Sequence, residues 1–175
     1  MSTVTLQKSI RRWLIFFIVA LILSGITASP IETELRWVCS WWPENDSSFY
    51  LWLLKCYNAI RDINQKYPFL AYGYDWLAFA HIVIAIAFIG PLKDPVKNIW
   101  VIEFGSIACI LIIPLALIAG EVRGIPMYWR ILDCSFGIIG IIPLTICYNK
   151  TKKMELLQNE QNKALKKTLA QRLSV

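Results

Sequence analysis

The sequence predicts an all-α integral membrane protein. The expected form is a four-transmembrane-helix bundle, with an amphipathic extracytoplasmic helix between spans 1 and 2 and a basic cytoplasmic C-terminal helix. Three observations predict it. The 175 residues are 57% hydrophobic with a mean hydropathy of +0.50, too apolar for a soluble domain of this length. The apolar residues gather in four segments, each near the roughly 20 needed to cross a hydrocarbon core about 30 Å thick. The Lys and Arg residues concentrate in alternate connections between those segments.

Span 1 is expected over about 13–28, where Lys8, Arg11 and Arg12 precede an unbroken apolar core. Charged flank, apolar core and the small residues Thr27, Ala28 and Ser29 also fit a cleaved signal; a retained helix is the preferred reading. Span 2 is expected over about 74–90, span 3 over 98–120 and span 4 over 126–148. Spans 1 and 2 are short and rely on flanking aromatics or on little tilt. Together 1–148 form a single transmembrane domain, and 149–175 form a basic cytoplasmic tail.

Between spans 1 and 2 lies a loop over 29–73, rich in tryptophan. Tyr50, Leu53, Leu54, Tyr57 and Ile60 recur there at helical spacing among polar residues. A helix over about 48–65 follows, capped by Ser47 or Ser48 and ended by Pro68. In the tail, Leu165, Leu169 and Leu173 recur four apart among Lys and Gln, as in a basic amphipathic helix.

Twelve of the 18 Lys and Arg residues lie in the N-terminal tail, the 91–98 loop and the C-terminal tail. With four spans, all three regions fall on one side. The positive-inside rule makes that side cytoplasmic, placing both termini inside a plasma or inner membrane. The net charge of +6 is then topological and suits anionic headgroups. It gives no basis for nucleic-acid binding.

Ionisable residues inside spans are costly and ordinarily pair, face the protein interior or work. His81 lies about 10 Å below the outer end of span 2, at 1.5 Å per residue. Arg130 and Asp133 sit at comparable depth in span 4. Asp75 and Trp76 mark the outer end of span 2, and Glu121 and Arg123 precede span 4. This convergence predicts a ligand site built from Arg130, Asp133, His81, Asp75 and Trp76. The Arg130–Asp133 spacing also suits an ion pair along one helix. Glu103, one turn inside the opposite face, is a second polar site, expected to pair with Lys97 or Arg12.

Cys39 and Cys56 share the outer loop and are candidate disulfide partners. No metal site is expected, since the chain has one histidine. No cofactor is expected either, because phosphate-binding and hydrolase motifs are absent. An Asn45 sequon lies in the outer loop.

The functional expectation is a small multi-pass protein that binds a lipid, an amphipathic ligand or a membrane partner through a polar cavity in the outer half of the bundle. An alternative is an intramembrane enzyme, with His81 and Asp133 as catalytic candidates for proton transfer. A second alternative is a small-solute or ion transporter, which requires a homo-oligomer.

Overall fold

The computed structural model describes residues 3–42 and 47–173, so Glu44, the Asn45 sequon and Asp46 lie outside the described residues. All secondary structure among the described residues is α-helical. The helices are α1 (Thr3–Ala28), α2 (Ile31–Trp41), α3 (Ser48–Lys66), α4 (Pro68–Ala87), α5 (Ile89–Lys93), α6 (Ile99–Val122) and α7 (Met127–Leu173). Four stretches are long and apolar enough to cross a membrane: Thr3–Ala28, Pro68–Lys93, Ile99–Val122 and Met127–Arg172. They cover the four predicted spans to within one residue at each end.

The helices extend further than the apolar segments do. α1 begins at Thr3, well before the predicted start at 13. Lys8, Arg11 and Arg12 are good helix formers, so charge ends the apolar run without ending the helix. α4 begins at Pro68 rather than at 74. Proline suits a first helical turn, where its missing N–H has no partner to lose. α7 runs without a break from the apolar segment into the basic tail. Its 47 residues make it about 70 Å long, more than twice a hydrocarbon core.

The chain divides into two compact units, one of Met1–Ile18 and Ile86–Val175, the other of Val19–Ala85. In the first unit, α6 and α7 form an antiparallel hairpin. Its turn is a Schellman motif: Ile125 N–H donates to the Gly120 carbonyl at 2.9 Å and Gly124 N–H to that of Glu121 at 3.0 Å. Gly124 takes φ +66°, which a side chain would strain. Pro126 then accepts from Trp129 N–H at 3.0 Å and from Arg130 N–H at 3.1 Å, opening α7.

Below the turn the hairpin closes through small residues. A Cβ added at Gly137 would strike the Cys109 carbonyl oxygen, and one at Gly140 would lie 2.9 Å from the Cys109 sulfur. Leu6, Ile10, Leu14 and Phe17 bury one stripe of α1 in this unit. Phe17 and Phe88 pack ring on ring at 4.8 Å between centroids. The Cys147 thiol points at the Ile10 carbonyl at 3.7 Å, and Lys150 donates to the Ser9 hydroxyl.

In the second unit, α2 packs on α3. The Asn64 amide donates to Glu32 at 2.5 Å, and Trp42 meets Phe49 at 5.4 Å between centroids. Ser47 caps α3 through the Tyr50 N–H at 3.3 Å, as expected. α2 was not expected. Its apolar residues Ile31, Leu35 and Val38 share one face, but none is buried and the helix has only 11 residues; Glu32 and Glu34 in its first turn favour it. Gly25 of α1 lets the Ala78 carbonyl and His81 Cβ of α4 approach to about the limit of contact.

Candidate functional site

The most developed polar site sits at the turn end of the α6–α7 hairpin. The stem of Arg130 crosses Gly120, where a Cβ would strike its methylenes. Arg130 is thereby buried, with only 9% of its surface exposed. Its guanidinium reaches back to α6: Nη1 lies 2.5 Å from Glu121 Oε2 and 3.3 Å from the Leu117 carbonyl oxygen. A cation at a helix C-terminus is favoured by the helix dipole, which adds to the pair. Nε is buried with no hydrogen-bond partner.

Arg130 therefore pairs across the turn with Glu121, not along its own helix with Asp133. The reason is local. The Schellman turn lays Glu121 against the first turn of α7. Burial of Arg130, Cys134 and Gly137 against α6 leaves Asp133 at the edge of that face, half-buried.

Asp133 lines a cavity of about 280 Å³ with Arg123. Apolar side chains of α6, among them Ile112, Leu115 and Ala119, and Ile125 of the turn form its walls. The Arg123 N–H donates to the Ala119 carbonyl at 3.0 Å, and neither the Arg123 nor the Asp133 side chain has a hydrogen bond or ion pair among the described residues. A second cavity of about 650 Å³ runs along α6 and shares Leu115, Ala119 and Arg123 with the first.

The chain matches no protein-family model, no curated protein and no solved structure.

The other predicted site residues fall in different surroundings. Asp75 and Trp76 line a cavity of about 270 Å³ in the second unit with Tyr72 and Phe79, and Asp75 accepts from the Ser29 hydroxyl at 3.0 Å. His81 is half-buried. Its Nδ1 lies 2.8 Å from the Leu77 carbonyl oxygen, which can only accept, so Nδ1 is the donor.

Glu103 lines a cavity of about 420 Å³ with Ser106, Thr145 and Tyr148. It forms no ion pair among the described residues. Lys97 instead pairs with Asp94 at 3.7 Å, and the Glu103 charge acts on Lys152. The Lys152 ammonium is held above its ordinary range, first by its hydrogen bond to Glu155 at 3.2 Å.

Cys39 and Cys56 are free thiols on the facing helices α2 and α3. No group of three or more His, Cys, Asp or Glu able to hold a metal occurs among the described residues.

Sequence reasoning singled out Arg130 and Asp133 but missed Glu121 as the partner of Arg130. The signal was present: Gly124 followed by Pro126 spells a helix stop and restart, and such a turn brings the flanking residues together.

Proposed function

We propose that the chain is a four-span membrane protein that holds an amphipathic ligand, a membrane lipid above all, at the extracytoplasmic end of the α6–α7 hairpin. In this reading both termini are cytoplasmic. α3 lies on the outer surface, and the basic end of α7 lies on the inner side among anionic headgroups.

The observation that carries the proposal is one cavity holding an unpaired cation and an unpaired carboxylate above an apolar wall. A charged pair with no partner of its own is costly near a membrane and is satisfied by a polar ligand group. The apolar depression beside it suits the hydrocarbon part of the same ligand. The Arg130–Glu121 pair, buried on the arginine side and exposed on the glutamate side, ties α6 to α7 beside the cavity. Such fixed geometry limits the ordering that binding must impose.

The test compares Asp133→Asn and Arg130→Ala with the unaltered protein, purified in mild detergent. Co-purified lipid is quantified by mass spectrometry beside thermal unfolding. The proposal expects Asp133→Asn to lose bound lipid at unchanged unfolding temperature. It expects Arg130→Ala to lose both, because its guanidinium also ties the two helices. Equal lipid content in all three proteins would sink it.

A further inference from the structure

The charge pattern of the turn cavity selects among lipids. Arg130 and Glu121 neutralise each other across the hairpin. Arg123 and Asp133 remain, one positive and one negative, on the walls of one cavity. The four groups together carry no net charge. A site for an anionic headgroup would present an excess of cations. A site for a neutral sterol or glyceride would leave both charges without partners.

A zwitterion with its charges a short distance apart matches the pattern. Its phosphate goes to Arg123, whose guanidinium can donate two parallel hydrogen bonds. Its cation goes to Asp133. The volume of about 280 Å³ is below that of a pocket enclosing a whole drug-sized ligand and suits a headgroup. The adjoining depression on the open face of α6, lined by Leu111, Pro114, Leu115 and Ile118, can lie against an acyl chain.

The cation can be specified further. A quaternary ammonium has no N–H to donate and is recognised by aromatic faces. None of the residues lining this cavity is aromatic. A primary ammonium donates hydrogen bonds, and the Asp133 carboxylate is an acceptor with none of its own filled among the described residues.

We infer that the α6–α7 turn cavity is a site for a phosphoethanolamine headgroup of a membrane phospholipid, with Arg123 on the phosphate and Asp133 on the primary amine. The inference rests on the lipid-binding reading above and names its ligand class.

The experiment uses the full chain reconstituted in phosphatidylcholine bilayers. Three lipids are compared by electron spin resonance, each spin-labelled on the same acyl position and bearing an ethanolamine, choline or glycerol headgroup. The expected result is about fivefold tighter association of the ethanolamine lipid than of the choline lipid, the ratio one exposed charge-assisted contact gives. Asp133→Asn should bring the two to parity. Arg123→Gln, in an exposed turn where folding is not at stake, should weaken both zwitterionic lipids. If the glycerol lipid binds best, the ethanolamine assignment is overturned while lipid binding stands. If no headgroup is distinguished, both the assignment and the lipid-binding reading are overturned. An ethanolamine preference that survives Asp133→Asn and Arg123→Gln would remove the site from this cavity.

Discussion

At the residue scale, what a side chain does here is set by how far it is withdrawn from water. Cys39 and Cys56 show it outside the spans. Burial pushes both thiols above their ordinary value of 9.0; for Cys56 the nearby Lys55 partly opposes this, and Cys39 adds to it. The thiolate is the reactive form, so a raised value means a smaller reactive fraction at a given pH. Alkylation by iodoacetamide at pH 8 should therefore run slower at both positions than in a short peptide thiol. The deficit should shrink as pH rises past 9.0, where the peptide is already ionised and the protein thiols begin to follow. Peptide-mapping mass spectrometry resolves the two sites, and rates equal to the peptide at pH 8 would contradict the burial. The same scale shows what the sequence could tell about the site. Depth and charge sufficed to single out Arg130 and Asp133. Partner choice did not follow from spacing, because an i,i+3 pair and a pair across a turn are equally open until the turn geometry is known. Arg130 takes Glu121, and that choice leaves the Asp133 side chain without an ion pair among the described residues.

At the element scale, the hairpin depends on small residues more than on apolar ones. Two helices in lipid gain little by burying apolar surface and associate by close backbone approach. Gly137 and Gly140 provide that approach to Cys109, but not equally. A methyl at Gly137 would meet a backbone carbonyl, which cannot step aside; one at Gly140 would meet a thiol at 2.9 Å, which can rotate. Gly137→Ala should therefore destabilise the protein by about 1–3 kcal/mol, the usual cost of overpacking, and Gly140→Ala by less. Unfolding of the two variants in the same detergent checks the order, and the reverse order would mean the hairpin closes elsewhere. The four spans were legible in the sequence because hydropathy reports directly on the cost of placing a residue in lipid. Helix ends were not, because that cost says nothing of a helix continuing past its apolar residues, as α1 does before Trp13 and α7 beyond Tyr148. α2 escaped notice for another reason: its apolar face of Ile31, Leu35 and Val38 spans only 11 residues, the shortest stretch over which a helical period can be read.

At the scale of the whole molecule, one quantity reaches every element: the uneven placement of Lys and Arg along the chain. The N-terminal tail, the 91–98 connection and the C-terminal tail hold most of the basic charge, whereas 29–73 balances four bases with five acids. Basic flanks resist crossing the membrane, and in short connections that resistance sets orientation. In the proposed topology the N-terminal tail, the 91–98 connection and the C-terminal tail share the cytoplasmic side, and 29–73 and the 123–126 turn face outward. The proposed lipid site inherits its sidedness from this, since Arg123 lies in that turn. Two exposed positions separate the alternatives: Trp41, 91% exposed at the end of α2, and Gln161 in the basic half of α7. Each is changed to cysteine in a chain whose Cys39 and Cys56 are serine, and intact cells are treated with a membrane-impermeant maleimide. Trp41→Cys should label at once. Gln161→Cys should label only after the membrane is opened. The opposite pattern would invert the protein and move the α6–α7 cavity to the inner leaflet, where the same headgroup chemistry would have to be sought. Labelling of both positions in intact cells would mean an even number of crossings between them, and one of the three apolar helices that separate them would then lie outside the bilayer.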